Sequence, residues 1–143
     1  MPPQRRKRHW VIGDVHGCAD ALQDLLARLP RNDHIIFCGD VINRGPRIAA
    51  ALELVRALVL RGRATWLMGN HELALVRALQ KGNWQIASEL AGCDTYRQLG
   101  DRRCRRFLPQ LASLPLAFWG DGWVATHAGF DPRTCSIAPV SGQ

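Results

Sequence analysis

Three short apolar runs, each ending in glycine and then an acidic or amide residue, constrain the fold of this chain more than any other feature. The runs are His9–Ile12, His34–Cys38 and Ala64–Met68, and they end in Gly13-Asp14, Gly39-Asp40 and Gly69-Asn70. Apolar runs of this length, bounded by turn residues, predict buried strands. A helical pattern follows each run, so the sequence predicts three strand–loop–helix units and a parallel α/β sheet.

The helical patterns between these runs have recognisable ends. Leucines spaced at i, i+3, i+4 and i+7 over residues 22–29 form one stripe of a helix, which Pro30 closes. A second helix is predicted over residues 46–62, because proline favours a helix start and glycine a helix end. A third is predicted from near His71 to just before residue 82.

The pattern changes after the third unit. Residues 83–115 predict helices with polar breaks, whose leucine and tryptophan side chains pack in the interior. Leu116–Trp119 and Trp123–Thr126 flank a Gly-Asp-Gly sequence and predict a β-hairpin. Residues 131–143 carry no clear element. Without a repeat or a linker, we expect one domain over residues 1–143.

The composition excludes several classes of protein. The chain of 143 residues is 47% apolar and 22% charged, which is typical of a folded globular domain. Its longest apolar runs fall short of the roughly 20 residues that span a bilayer, and the apolar stretch after the basic N-terminus is too short for a signal peptide. We therefore expect a cytoplasmic protein without membrane partners. Five scattered cysteines predict free thiols, not a disulfide framework or a structural zinc site.

The net charge is +7, and much of it comes from two arginine-rich runs. A positive surface attracts phosphorylated or polyanionic ligands. Aromatic residues are not interleaved with the basic runs, so the charge favours solvated faces over a nucleic-acid site.

Four polar clusters follow predicted strands, and together they carry the chemistry. The residues are Asp14, His16, Asp40, Asn70 and His127. Each cluster alone is typical of an ordinary turn. Jointly, however, they bring carboxylate oxygen, amide oxygen and imidazole nitrogen to what we expect to be one edge of the sheet. That mixed donor set suits manganese, iron or zinc.

Four ordered sequence blocks resemble the signature of the calcineurin-like metallophosphoesterases. The blocks are GDVHG at residues 13–17, GDVINRG at 39–45, GNHE at 69–72 and HAG at 127–129. The resemblance covers roughly residues 9–132 and is strongest to the phosphoprotein-phosphatase branch, which includes bacterial Ser/Thr protein phosphatases and symmetrical diadenosine tetraphosphatases. It implies an α/β fold of that family, a βαβαβ-type sheet with flanking helices, and metal-dependent phosphoester hydrolysis.

The resemblance also implies a site for two divalent metal ions, with Mn²⁺ expected first and Fe or Zn as alternatives. Asp14, His16 and Asp40 would hold the first ion. Asp40 would bridge to the second ion, which Asn70 and His127 would also bind. Two such cations share a water and lower its pKa, which would produce a bridging hydroxide for in-line attack on phosphorus.

Further roles carry over to residues near these ligands. Arg44 would clamp the phosphate oxygens as a substrate-binding and catalytic residue, and Asn70 would also contact the substrate. His71 would protonate the leaving oxygen as general acid, while Glu72 would support the loop. Asn43 stands where protein phosphatases usually carry an aspartate. Its amide oxygen would orient His71 without stabilising the imidazolium, which favours substrates with good leaving groups.

Relatives in this family continue well beyond the HAG block and supply another histidine to the second metal. After His127 this sequence has no histidine, and Arg133 follows the block too closely to replace the later phosphate-binding arginine of the relatives. The resemblance therefore predicts a domain that lacks the family's C-terminal portion, an incomplete second sheet and a weaker second metal site. A fragment, a truncated gene product and a domain completed by a partner chain all stay open.

Three functions follow from these patterns. A Ser/Thr-type protein phosphatase comes first, because the GDVHG block and Glu72 resemble those enzymes. A symmetrical diadenosine tetraphosphate hydrolase is the close alternative, since Asn43 favours it. The absent histidine supports a third, a degenerate metal- or phosphate-binding domain without catalysis. The expected partners are accordingly a phosphorylated protein, or a phosphorylated small molecule or nucleotide.

Overall fold

The computed structural model describes residues 7–81 and 90–137. All three predicted strand–helix units are present, as β1 (His9–Ile12), α1 (Ala19–Arg28), β2 (His34–Phe37), α2 (Ile48–Leu60), β3 (Ala64–Trp66) and α3 (Asn70–Gln80). Two further helices follow, α4 (Asp94–Leu99) and α5 (Asp101–Ala112). The predictions for residues 1–6, 82–89 and 138–143 lie outside the described residues.

The first three strands form one parallel sheet in the order β1-β2-β3. Trp10 pairs with Ile35, and Ile35 pairs in turn with Ala64, so the three strands run in near-aligned register. Parallel pairing brings the carboxyl ends of all three strands to one edge. The fold-class prediction is confirmed, and the polar residues that follow the strands are brought to that edge.

The central strand β2 separates two apolar layers. Ile35 and Phe37 are fully buried in the main core, where α2 contributes Leu52 and Val55. Ile36, between them in sequence, is buried in a smaller cluster on the opposite face with Leu67 and Ala125. Successive strand residues point to opposite faces, which is why one strand serves both layers.

The predicted hairpin is present as β4 (Ala117–Gly120) and β5 (Trp123–Thr126), which pair antiparallel. Beyond it, β6 (Phe130–Asp131) and β7 (Ser136–Ile137) form a second antiparallel pair. The sequence predicted no element there, because strands of two residues are too short to show an alternating pattern.

The start of α2 also differs from the prediction, at Ile48 instead of near Pro46. Asn43 and Arg44, which precede it, have φ angles of 65° and 67°. Arg47, which caps the helix, has a φ of −131° and a ψ of 58°, outside the helical range, so the loop extends to that residue.

Two general properties of the chain can be read from the described residues. None of their helices has both the length and the apolar character needed to cross a membrane. All five cysteines lie within the described ranges and carry free thiols, as the sequence predicted.

Candidate active site

Three imidazole rings surround the carboxylate of Asp40, which follows β2. Its Oδ2 atom lies 3.6 Å from Nε2 of His127 and 3.9 Å from Nε2 of both His16 and His71. The Asp40 side chain is only 6% exposed, so this carboxylate is held at the base of the site. Its backbone adopts a φ of 54°, a conformation that is uncommon outside functional sites and turns.

Backbone carbonyls fix the orientation of two of these rings. Nδ1 of His16 lies 2.8 Å from the Ile42 carbonyl oxygen, and Nδ1 of His127 lies 2.7 Å from that of Cys38. A carbonyl oxygen only accepts hydrogen bonds, so each Nδ1 carries the proton and donates it. Each neutral ring therefore presents the lone pair of Nε2, the arrangement that outer contacts impose on metal-ligating histidines.

The contact between His127 and Asn70 fits a cation. With Nδ1 protonated, Nε2 of His127 offers a lone pair, and it lies 2.8 Å from Oδ1 of Asn70, which also offers only lone pairs. Two lone pairs at this distance repel each other, whereas a cation bound to both atoms would be attracted to each of them.

Asp14 completes the set of potential ligands on the more exposed side of the site. Its Oδ2 atom lies 3.5 Å from Nε2 of His16. Ligand atoms of Asp14, Asp40 and His127 all lie within 4.8 Å of one another, as do those of His16, Asp40 and His71. The residues present therefore fit divalent metal ions in both donor chemistry and spacing.

His127 reaches this cluster from an unexpected element. Asp14, Asp40 and Asn70 follow β1, β2 and β3, as predicted, but His127 follows β5 of the separate hairpin. The expectation that all ligands share one sheet edge is wrong for this residue. The hairpin packs Ala125 against Ile36 and Leu67. His127, two residues later, contacts the Cys38 carbonyl after β2 and Asn70 after β3.

Glu72 contacts the main chain around the site and not the side chains of the ligand cluster. Its fully buried carboxylate accepts hydrogen bonds from three backbone N–H groups, those of Asp40 (2.8 Å), Val41 (2.7 Å) and Gly69 (3.1 Å). The loop after β2 and the start of α3 are thereby tied together. This geometry agrees with the supporting role expected for Glu72.

Close packing explains one of the glycines in the signature blocks. A Cβ atom at position 69 would lie 2.3 Å from Oδ1 of Asp40 and 2.4 Å from Oε2 of Glu72. Both neighbours are fixed in the site, so any side chain at Gly69 would displace the carboxylate of Asp40.

The hydrogen bond between Asn43 and His71 differs from the sequence-based expectation. Nδ2 of Asn43, and not its amide oxygen, lies 2.9 Å from Nδ1 of His71. The oxygen is turned away and accepts hydrogen bonds from Thr95. The prediction that the amide oxygen orients the imidazole is wrong, because that oxygen is already bonded elsewhere.

The electrostatic environment of His71 favours a neutral ring. Burial lowers the pKa of His71, and the neighbouring side chains of His16 and Arg44 act in the same direction. The carboxylates of Asp40 and Asp14 oppose this effect without reversing it.

Arg44 lines the mouth of the site. It shares a pocket of about 170 Å³ with Asp14, His16, Asp40, Asn70, His71 and Ala74. Its side chain is exposed, while its backbone N–H donates a 3.0 Å hydrogen bond to Asp94 of α4. The structure thus brings the predicted site residues together, with His127 in contact with Asp40 and Asn70 and with Asn43 in contact with His71.

Residues of α4 belong to the site although the sequence analysis predicted no site residue in that region. Asp94 and Thr95 hold the loop of Asn43 and Arg44, and Gln98 accepts the N–H of Ile48 at 3.0 Å. These contacts join residues about fifty positions apart, and no spacing in the sequence marks them.

A larger groove of about 540 Å³ adjoins the site on the side of α3. It begins at Asn43 and His71 and continues along the helix past Arg77 and Lys81. Among the described residues, the rest of its lining is mostly apolar, with Ala74, Leu75, Ala78, Leu90, Gly92 and Cys93.

Comparison with known proteins agrees with this geometry. Residues 7–138 match the family model described as calcineurin-like phosphoesterase. A symmetrical bis(5'-nucleosyl)-tetraphosphatase from Ralstonia nicotianae is 37% identical over 124 residues, which are 86% of this chain and 42% of that protein. The chain spans less than half the length of the curated relatives it matches.

Two solved structures show the likeness of the fold. A metallophosphoesterase from Sphaerobacter thermophilus has a TM-score of 0.61 at 26% identity, covering 96% of this chain and 52% of that one. A protein serine/threonine phosphatase from Saccharomyces cerevisiae, with similarity to human phosphatase PP5, has a TM-score of 0.66 at 20% identity. The match covers 91% of this chain and 40% of the yeast protein chain. At that identity the likeness concerns the fold alone.

Proposed function

Since the chain belongs to the calcineurin-like phosphoesterase family, we propose that it hydrolyses phosphoric anhydride bonds of a dinucleoside polyphosphate with two divalent metal ions. The observation that carries this proposal is the convergence of three Nε2 atoms within 3.9 Å of one Asp40 carboxylate oxygen. Two of these rings, those of His16 and His127, would bind metal beside Asp40, and the third, that of His71, would act on the phosphate near Arg44.

Five side chains would hold the metal ions. Asp14, His16 and Asp40 would bind the first ion, and Asp40, Asn70 and His127 the second. When bound, the ions supply an activated water and neutralise charge on the phosphate. We propose Mn²⁺ for both positions, because the mixed oxygen and imidazole donors suit it.

The remaining residues act on the substrate. Arg44 presents a planar fork of donors to the phosphate oxygens, for which its exposed position at the pocket mouth is suited. Asn70 lies at the same pocket and would contact the phosphate as well. His71 lines this pocket too and would act on the leaving oxygen.

The substrate class follows from the leaving group that the site can accept. Asn43 contacts His71 with a neutral amide, which cannot stabilise an imidazolium as a carboxylate would. Proton transfer to the leaving oxygen is therefore weakly supported. A nucleotide leaves as a stable phosphate anion and needs little protonation, whereas a serine or threonine alkoxide needs a proton. The tetraphosphatase name of the 37% identical relative points the same way.

The groove along α3 offers room for the rest of such a substrate. Its apolar wall suits the face of a nucleoside, and Arg77 and Lys81 would attract the distal phosphates. Its volume of about 540 Å³ lies within the range usual for ligand pockets, about 300–1,000 Å³.

Other predictions stay open. Phosphoprotein hydrolysis remains the second candidate, because the GDVHG block and Glu72 resemble the protein phosphatases. Cytoplasmic location, a partner chain that completes the second sheet, and the weak second metal site also stay predictions. Activity is proposed for this chain although it spans 42% of the relative from Ralstonia nicotianae.

The proposal is tested by hydrolysis of diadenosine tetraphosphate, a phosphoserine peptide and p-nitrophenyl phosphate, with and without Mn²⁺. We expect manganese-dependent turnover, with diadenosine tetraphosphate preferred over the peptide. Asp40→Asn should abolish turnover, and Asp24→Asn, at an exposed position of α1, should not. Preference for the peptide would support the phosphatase alternative. A folded, metal-loaded chain without turnover on any substrate would support the non-catalytic binding domain.

A further inference from the structure

Thr95, in the first turn of α4, makes three hydrogen bonds to Asn43. Its Oγ1 donates to Oδ1 of Asn43 at 2.7 Å, and its backbone N–H donates to the same oxygen at 3.0 Å. In return, the backbone N–H of Asn43 donates to Oγ1 at 3.0 Å. Thr95 is fully buried, so no solvent competes for these bonds.

These contacts leave the amide of Asn43 a single satisfactory orientation. Its oxygen accepts both Thr95 donors and also the Cys93 thiol at 3.3 Å. Rotating the amide by half a turn would place its NH₂ group against the backbone N–H of Thr95, which can only donate and would lose its acceptor. A buried donor without an acceptor is costly, so the rotated arrangement is disfavoured.

The fixed orientation determines which atom faces His71. Nδ2 of Asn43 lies 2.9 Å from Nδ1 of His71, and an amide NH₂ group can only donate. Nδ1 must therefore offer its lone pair, and the ring proton must sit on Nε2. We propose that Thr95 is a positioning residue that, through Asn43, holds His71 in the neutral tautomer protonated at Nε2.

The catalytic consequence rests on the proposed function, whereas the tautomer itself does not. In this state His71 donates a hydrogen bond from Nε2–H to the leaving oxygen and keeps its proton. A water oxygen forms a bond to phosphorus and loses its proton to solvent, the bond between phosphorus and the leaving oxygen breaks, and the electron pair leaves with the nucleotide phosphate. An aspartate at position 43 would instead accept a hydrogen bond from Nδ1–H and support an imidazolium, which can transfer its Nε2 proton.

The test is the tautomer of His71 by NMR of the full chain labelled with ¹⁵N-histidine, at neutral pH. Spectra are recorded without metal and again with Zn²⁺, which is diamagnetic, and His71→Gln assigns the signals. We expect a protonated Nε2 and an unprotonated Nδ1 in the wild type. A His71 ring protonated at Nδ1, or at both nitrogens, would overturn the proposal.

Two substitutions test the role of Thr95. Thr95→Val keeps the shape but removes the hydroxyl, and we expect the Nδ1-protonated tautomer to appear beside the original one. Thr95→Ser retains the hydroxyl and should restore the wild-type spectrum. A Thr95→Val spectrum identical to the wild type would overturn the positioning role.

Thr95→Val removes the acceptor of the Asn43 N–H, so Asn43→Asp provides the same test should the first variant not fold. We expect a proton on Nδ1 in Asn43→Asp, and an unchanged Nε2-only tautomer would overturn the proposal. These spectra need no substrate. Failure of diadenosine tetraphosphate hydrolysis would therefore leave the tautomer result standing, and the reverse also holds.

Discussion

Glu72 holds Asp40 through the main chain, because its Oε2 atom accepts the Asp40 N–H at 2.8 Å. The same atom accepts the N–H of Gly69, so one carboxylate oxygen fixes residues after two different strands. Burial raises the pKa of Glu72, and the hydrogen bonds from Asp40 and Val41 oppose that effect. A buried carboxylate is thus used to hold a proposed metal ligand in an uncommon backbone conformation.

We predict that Glu72→Leu lowers the free energy of unfolding by about 3 kcal/mol or more. Leucine has a similar volume but no acceptor, so three buried N–H groups lose their partner at about 1–3 kcal/mol each. Urea denaturation measures the change. Glu53→Leu, at an exposed position of α2, is the matched control and should change stability by less than about 0.5 kcal/mol. Equal losses in both variants would contradict the supporting role.

Asp40→Asn should abolish binding of two Mn²⁺ ions. The carboxylate is the shared neighbour of all three imidazoles, and an amide supplies neither its charge nor its second oxygen acceptor. We expect affinity to fall by more than the roughly 10–100-fold that losing an outer contact of a metal site costs. Isothermal titration calorimetry measures it. Wild-type affinity in Asp40→Asn would show that the cluster is not a metal site.

The parallel sheet and the ligands at its edge could be predicted because their signals are local. An apolar run followed by Gly-Asp is visible within a few residues, and parallel pairing then places Asp14, Asp40 and Asn70 together without knowledge of distant contacts. His127 could be identified only by resemblance, since nothing local shows that a hairpin places it over the sheet.

The contacts of Thr95 could not be predicted from the sequence. It lies 52 residues from Asn43, in a helix of six residues, and a buried polar pair leaves no periodic trace. The orientation of the Asn43 amide was predicted wrongly for a related reason. The residue type permits either end to face His71, and only the donors around Oδ1 decide between them.

Arg77→Ala should raise KM for diadenosine tetraphosphate by about tenfold, which corresponds to about 1.4 kcal/mol, and leave kcat unchanged. Arg77 lines the groove that leads away from His71, so its charge would contact only the distal part of a long substrate. KM for p-nitrophenyl phosphate, which is too short to reach it, should not change.

Steady-state kinetics on both substrates provide the measurement for Arg77→Ala. Arg28→Ala removes an exposed charge from α1 and is the matched control for a general effect of net charge. A parallel rise of KM for both substrates in Arg77→Ala would contradict a role confined to the groove.

His34 should make the protein less stable as the pH falls below about 6.5, the ordinary histidine pKa. Burial lowers the pKa of His34 in the folded protein, with further contributions from the charges of His9 and Lys7. The unfolded chain then binds a proton that the folded protein does not, so stability is lost as the pH falls towards the lowered value.

The measurement is urea denaturation of the wild type and His34→Gln between about pH 5 and 7. We expect a shallower pH dependence in the variant, the difference being at most about 1.4 kcal/mol per pH unit for one proton. His34→Gln also loses the 2.9 Å contact with Thr65, so its stability at all pH values falls and the slope is the relevant quantity. Identical slopes would show that another group controls this range.

Asn43→Asp should raise kcat/KM most for substrates with poor leaving groups. The carboxylate keeps one oxygen for the Thr95 donors and turns the other towards Nδ1 of His71. Nδ1–H then donates a hydrogen bond to that oxygen, and the imidazolium can give its Nε2 proton to the leaving oxygen. A series of aryl phosphates with leaving groups of increasing pKa measures this effect. In the wild type we expect rates to fall steeply along the series, because the leaving oxygen receives a hydrogen bond but no proton. In Asn43→Asp the dependence should be flatter, with a gain of about 10–100-fold for the poorest leaving group, as expected when general acid catalysis is added.

Asn32→Asp, which introduces the same charge at an exposed loop position, should leave the slope unchanged. A uniform change across the series in Asn43→Asp would mean that the residue affects substrate binding or metal affinity and not the protonation of the leaving group.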